Sequence, residues 1–281
     1  MDGISLWQAV VLGIVEGITE YLPVSSTGHL TIAEQLLGLP VDDVAVTAYT
    51  AIIQIGAIAA AVIYFWKDIV TVVTAFLRGL RNQQVRQTSD WRFATAVIAG
   101  SMPIAIVGYA LQDVIEGPLR SLWVVAAGLI GWSAVMVFAE KAATQQRDGR
   151  DIRLKDGLII GLVQIFSLIP GVSRSGATIS AGLLRDLDRV TATRLSFLLG
   201  IPALTAAGIF QAVKTQDEIS ARVGWLPTIV GTVVSFIVAY ASIAWLLRFV
   251  SRRSILPFVW YRVGLGLLLI LGLTTGALSA T

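Results

Sequence analysis

A polar tight turn occurs twice inside strongly apolar sequence, as PVSSTGH at residues 23–29 and as PGVSRSG at residues 170–176. Lipid offers no partner to a bare N–H or C=O, so such turns reach membrane depth only where protein or a wet cavity surrounds them. Ser25, Ser26, Thr27 and Gly28 precede Ser173, Arg174, Ser175 and Gly176 by 148 positions, and the same offset aligns Gly13 with Gly161 and Glu16 with Gln164 without a gap. This register is the mark of an internal duplication.

The solvent for this fold is a bilayer. Hydrophobic residues make up 56% of the chain and charged residues 14%, with a mean hydropathy of +0.78, against roughly 25% charged residues in soluble domains. Six largely uncharged segments have the length of a membrane span: about 44–66, 93–112, 120–140, 194–213, 225–247 and 255–278. The remaining apolar pieces, about 4–37 and 157–186, are each broken by one of the turns and read as two half-helices that enter the bilayer and return. The expectation is an all-α polytopic membrane protein forming one integral domain over 1–281, with six transmembrane helices and two re-entrant helix hairpins. Repeat one covers about 4–140 and repeat two about 157–278.

Charge sets the orientation. Basic residues gather in four connecting segments, including Lys67, Arg78, Arg81, Arg86 and Arg92 in the first and Lys141, Arg147, Arg150, Arg153 and Lys155 in the second, which are expected to be cytoplasmic. The opposite segments hold Asp42, Asp43, Asp113, Glu116 and Arg120, and then a balanced Lys214, Asp217, Glu218 and Arg222. Three spans separate the two hairpins, so the first enters from outside and the second from the cytoplasm, which makes the duplication an inverted-topology repeat. In such folds the broken helices meet near the midplane and aim half-helix N-termini at an anion.

The residues around the turns suit phosphoryl chemistry. Glu16 and Glu20 lie one helical turn apart on one face, and two carboxylates that close in a low dielectric require a proton, a metal or an arginine between them. Arg174 offers a planar donor fork for phosphate oxygens from a position where it cannot reach the membrane edge. His29, the only histidine, sits three residues after Ser26 and is a candidate proton carrier, and the candidate nucleophile is either Ser26 or a water activated by a glutamate or by His29. Ser25, Thr27, Gly28, Ser173, Ser175, Gly176 and Thr178 are candidate phosphate donors, and Gln54 and Gln164 are polar residues expected to line the site. The absence of cysteine removes thiolate chemistry.

These motifs carry a family resemblance. EGITEYLPVSSTGH at 16–29 and PGVSRSGAT at 170–178, with IQIGAI at 53–58, SFLLGIPA at 196–203 and PFVWYR at 257–262, resemble the bacitracin-resistance family of undecaprenyl-diphosphate phosphatases. The resemblance implies a bacterial cytoplasmic-membrane hydrolase that returns undecaprenyl phosphate to peptidoglycan synthesis and confers bacitracin resistance. It also implies a divalent metal, magnesium or calcium, for which Glu16 and Glu20 are the expected ligands, and a cavity that opens to the outer side with the prenyl tail between helices. Family functional positions carry over onto Glu16, Glu20, Ser26, His29, Ser173, Arg174 and Thr178. The expected partners are the polyprenyl diphosphate lipid, the bilayer and, as an assembly, a homodimer; nucleic acid is not among them.

Two rivals follow from the same residues. A transporter or flippase of a polyprenyl phosphate would use the same midplane anion site, although paired glutamates, a histidine and adjacent hydroxyls exceed what anion binding requires. A lipid phosphatase with a histidine nucleophile needs a second histidine as its acid, and this chain has one.

Overall fold

The computed structural model describes residues 3–41, 43–116, 119 and 121–280. Asp42 and Arg120, and the side chains of Asp113 and Glu116, lie outside what it describes. Helices α1 (Leu6–Thr19) and α2 (Ser26–Leu36) flank the first turn and lead into α3 (Val44–Tyr64). Next come α4 (Trp66–Arg81), α5 (Ser89–Ala110), α6 (Gln112–Glu116) and α7 (Leu122–Ala142). Helix α8 (Leu154–Gln164), continued by a 3-10 turn at Ile165–Leu168, and α9 (Arg174–Leu184) flank the second turn. The chain ends with α10 (Arg189–Lys214), α11 (Gln216–Glu218), α12 (Trp225–Val250) and α13 (Leu256–Thr274). No β-strand occurs among the described residues, where one isolated bridge pairs Arg147 with Leu187.

Helices α3, α5, α7, α10, α12 and α13 are long and apolar enough to cross a bilayer, so the chain is a multi-pass membrane protein. They coincide with the six spans expected from sequence, with ends displaced by about one turn. The segment 67–92, read from sequence only as a basic connection, contains the additional helix α4. Its apolar residues fall in two separate stripes, one buried and one exposed, so no continuous apolar run announces it.

Small residues let the backbones meet, as is usual between helices in lipid. Helix α1 crosses α12 where a Cβ on Gly13 would lie 2.6 Å from the carbonyl oxygen of Gly231, and α8 crosses α5 where a Cβ on Gly161 would lie 2.1 Å from that of Gly100. Gly13 and Gly161 are the pair that the 148-residue offset aligns. The bases of the two hairpins are tied at aligned positions as well. Gln8 Nε2 donates to the carbonyl of Leu37 at 3.2 Å. The aligned residues are Asp156 and Arg185, and Arg185 Nε donates to Asp156 Oδ1 at 2.9 Å while Arg147 donates both to Asp156 and to the Arg185 carbonyl.

Gly161→Ala is expected to push α8 off α5 and cost about 1–3 kcal/mol or more, as overpacking does, lowering the thermal midpoint in detergent. Gly131→Ala, on an exposed face of α7 with open space around the new methyl, is expected to leave it unchanged or slightly raised. Equal midpoints for Gly161→Ala and the wild type would contradict this packing.

Candidate active site

Both turns are built the same way. Ser25 has φ 78° and ψ 97°, and the aligned Ser173 has φ 73° and ψ 124°. Left-handed backbone at a residue other than glycine costs roughly 1–2 kcal/mol. Here it buys an N-cap: Ser25 Oγ accepts from Gly28 N–H at 3.5 Å and Ser173 Oγ from Gly176 N–H at 3.2 Å. Each turn thereby starts a helix, α2 or α9, whose first N–H groups point into the protein interior and favour negative charge.

The turns are joined directly. Ser25 Oγ also accepts from Gly171 N–H at 3.2 Å, and Ser175 Oγ donates to the Leu22 carbonyl at 3.0 Å. Arg262, on α13 and fully buried, reaches both turns at once. It donates to the carbonyls of Pro23 at 3.1 Å and Gly171 at 2.9 Å, to those of Gly128 and Leu129 on α7, and to Ser133 Oγ at 3.2 Å. Helix α7 backs the pair: a Cβ on Gly128 would lie 2.5 Å from the Pro170 carbonyl, and one on Gly171, at φ 93°, would lie 2.2 Å from that of Val125.

A cavity of about 160 Å³ lies between the turns, lined by Glu20, Ser25, Ser26, Thr27, Ser173 and Arg174, with Gln54 at its wall. Glu20 organises its chemistry. One carboxylate oxygen, Oε2, accepts from Ser26 Oγ at 2.8 Å and from Gln54 Nε2 at 3.2 Å; the other, Oε1, accepts from Arg174 Nη2 at 3.2 Å. Arg174 also donates from Nη1 to the Ser196 carbonyl, and its guanidinium lies 5.7 Å from the centre of the Tyr21 ring. Its Nε is buried without a partner. A hydroxyl on a carboxylate that an arginine orients is the arrangement of a nucleophile with its base, and the arginine has a donor to spare for an anion.

The remaining expected residues divide. Gln54 is in contact with Glu20, as expected of a lining residue. Ser175 and Thr178 are fully buried and bonded within the protein, Thr178 Oγ1 to the Arg174 carbonyl at 2.8 Å and to the Ser196 hydroxyl. They shape the second turn from behind. His29 does not line the cavity. Its Nδ1 donates to the Ser25 carbonyl at 2.7 Å, which leaves Nε2 to accept the hydroxyl of Tyr261 at 2.6 Å, with the two rings stacked 5.5 Å apart. Glu16 and Gln164, aligned by the 148-residue offset, are both buried outside the cavity wall. Glu16 Oε1 and both amide atoms of Gln164 lack hydrogen-bond partners.

That orphaned Glu16 oxygen suits a hard cation, because magnesium and calcium take carboxylate oxygens and fill other positions from water or substrate phosphate. Among the described residues no group of three or more His, Cys, Asp or Glu side chains is placed to hold a metal, so Glu16 and Glu20 would leave most of a shell to other oxygens such as water.

Sequence reasoning missed three residues here. Arg262 binds main-chain carbonyls, which leave no trace in side-chain spacing; its signal is an arginine inside an apolar span, beyond easy reach of water. Tyr261 precedes it on the same helix. Gly200 on α10 makes room for the cation: a Cβ there would lie 2.0 Å from Arg174 Nη1.

An apolar groove of about 480 Å³ shares Ile104, Leu168, Arg174 and Leu204 with the polar cavity. It runs between α5 and α10 past Tyr109 and Phe210 to Gln112 at the start of α6 and Gln211 near the C-terminal end of α10. Polar cavity and apolar groove adjoin at these residues, with Arg174 lining both, an arrangement that suits an amphiphile with an anionic head and a long apolar tail.

The family model described as "Bacitracin resistance protein BacA" matches residues 9–268. An "Undecaprenyl-diphosphatase" of Acidothermus cellulolyticus is 55% identical over 281 residues, 100% of each chain. "Undecaprenyl-diphosphatase 1" of Streptomyces avermitilis is 55% identical over 280 residues, 99% of this chain and 100% of that one. An "Undecaprenyl-diphosphatase" of Myxococcus xanthus is 47% identical over 275 residues, 98% of this chain and 91% of the relative.

Arg262→Met is expected to leave several buried carbonyls without a donor, at roughly 1–3 kcal/mol each, and to lower the thermal midpoint sharply. Arg262→Lys should not restore it, because an ammonium cannot reproduce the fork that reaches both turns. An unchanged midpoint in Arg262→Met would contradict the role given to this residue.

Proposed function

The chain belongs to the BacA family of bacitracin resistance proteins, and from that premise we propose how it dephosphorylates undecaprenyl diphosphate between its two turns. It is an undecaprenyl-diphosphate phosphatase, a membrane hydrolase whose product re-enters peptidoglycan synthesis and whose family is associated with bacitracin resistance. The observation that carries the mechanism is the contact of Ser26 Oγ with Glu20, itself held by Arg174 from the other turn.

The terminal phosphate lies in the polar cavity, against the N-terminal N–H groups of α2 and α9 and the spare donors of Arg174. The prenyl tail follows the groove between α5 and α10. Ser26 Oγ attacks the terminal phosphorus as its proton passes to Glu20 Oε2, and the bond to the bridging oxygen breaks. Undecaprenyl phosphate leaves with the proton from Glu20. The freed carboxylate then takes a proton from the water that cleaves the Ser26 phosphate ester and returns it to Ser26 Oγ, releasing inorganic phosphate. Arg174 neutralises charge on the equatorial oxygens throughout. His29 has both ring nitrogens engaged and acts by fixing the Ser25 carbonyl. Glu16 and Glu20 are the residues that would hold magnesium or calcium, which when bound supplies further charge neutralisation to the diphosphate.

We also propose that the two pairs of short helices are re-entrant hairpins of an inverted repeat. The support is the matched ties at Gln8–Leu37 and Asp156–Arg185 and the matched crossings at Gly13 and Gly161. The groove ends near Gln112 and Gln211, close to the connections with little basic charge, which supports a site open to the outer side.

Purified protein in detergent is expected to release phosphate from undecaprenyl diphosphate, with Ser26→Ala, Glu20→Gln and Arg174→Ala each lowering kcat by about 10²–10³. Acid quenching during turnover of substrate labelled in its terminal phosphate should leave label on wild-type protein and none on Ser26→Ala. Full activity in a folded Ser26→Ala would overturn the covalent route. Gly200→Ala should lower kcat at least tenfold by displacing the Arg174 guanidinium while the thermal midpoint is kept; unimpaired release would count against Arg174 as the phosphate ligand.

A further inference from the structure

Helix α4 has no part in the chemistry above. It begins where α3 ends, turning at the buried Phe65, and its 16 residues are too few to cross a bilayer at 1.5 Å per residue. Three stripes run along it. Val72, Ala75 and Gly79 face the protein, where Gly79 meets the ring of Trp91 on α5. Trp66, Val70, Val73, Leu77 and Leu80 form an exposed apolar stripe. Lys67, Thr71, Thr74, Arg78 and Arg81 form an exposed polar stripe beside it.

The basic side chains of that stripe are unclaimed. Lys67, Arg78 and Arg81 are exposed and make no ion pair among the described residues. The acid within α4, Asp68, is bonded to Arg194 at 2.7 Å, and Asp90, at the start of α5, is exposed. Arg86 caps the end of the helix, donating to the carbonyls of Gly79 at 2.6 Å and Leu80 at 3.1 Å. Next to the exposed apolar stripe, an almost wholly apolar groove of about 220 Å³ lies between Ile69, Val73 and Leu77 of α4, Ile98 of α5 and Ile201 of α10.

We propose that α4 lies in the plane of the membrane surface and binds an anionic phospholipid, with the headgroup on Arg78 and Arg81, one turn apart, and an acyl chain in the groove against Leu77, while Lys67, about 16 Å further along the helix at 1.5 Å per residue, adds positive charge at its other end. Apolar stripe, adjoining cations and groove together fit an amphipathic in-plane helix, and three uncompensated positive charges select an anionic headgroup over a zwitterionic one. A peptide or protein partner would leave the exposed valines and leucines facing lipid uncovered. The site is separate from the phosphatase centre and stands whether or not the Ser26 mechanism holds.

The chain has no cysteine, so single cysteines can be introduced for spin labelling of the full protein in nanodiscs. A label at Leu77→Cys is expected to be relaxed by oxygen and shielded from a water-soluble nickel chelate, and one at Thr71→Cys the reverse. Native mass spectrometry with phosphatidylglycerol and phosphatidylcholine should show preferential retention of phosphatidylglycerol. Replacing Lys67, Arg78 and Arg81 by Gln should weaken that retention about fivefold per charge removed, with phosphate release as the check on folding. Equal exposure of both labels to the chelate would overturn the in-plane placement. Equal retention of the two lipids, or a preference that survives the triple substitution, would overturn the headgroup site.

Discussion

The structure depends on one buried cation. Two polar turns sit inside an apolar bundle, where lipid offers their carbonyls no partner. Arg262 answers part of that need on both turns at once, donating to Pro23 and Gly171 while gripping α7 through Gly128 and Leu129. A guanidinium suits this task because it is planar, permanently charged and carries five donors. Burying it is costly unless all of its donors are used, so the turns and the cation stabilise one another. Once they are held, the N-termini of α2 and α9 face a common cavity, and Glu20 from one side meets Arg174 from the other.

That convergence places the proposed chemistry between the two turns. The first turn carries Glu20 and Ser26, a carboxylate and a hydroxyl in contact; the second carries the guanidinium that orients the carboxylate. Neither turn has the whole set. At the 148-residue offset Ser26 in the first turn aligns with Arg174 in the second, while the capping serines, Ser25 and Ser173, have closely similar conformations in both. The two aligned helix ends differ at this one position, a hydroxyl in the first and a guanidinium in the second.

Much of this was legible in the sequence, for identifiable reasons. The six spans are long apolar runs, and length against bilayer thickness is the least ambiguous signal a chain can carry. The turns stood out because serine, glycine and arginine are out of place in such runs, and they led directly to Glu20, Ser26 and Arg174. Spacing along one chain does not say which way a side chain points between helices, so His29, Ser175 and Thr178 gave no hint that they would face away from the cavity. Arg262 and Gly200 act through backbone carbonyls and empty space. Helix α4 splits its apolar residues between protein and lipid, a pattern that reads as a polar connection until its neighbours are known.

In the proposed function the two turns make a single site for the diphosphate, with the tail running between α5 and α10. The most direct test is the structure of the protein bound to undecaprenyl diphosphate whose bridging oxygen is replaced by methylene. The terminal phosphonate is expected within hydrogen-bond reach of both Ser26 and Arg174, with the first prenyl units beside Leu168 and Leu204. Phosphonates bound by one turn alone, or a tail leaving along a different face of the bundle, would contradict it.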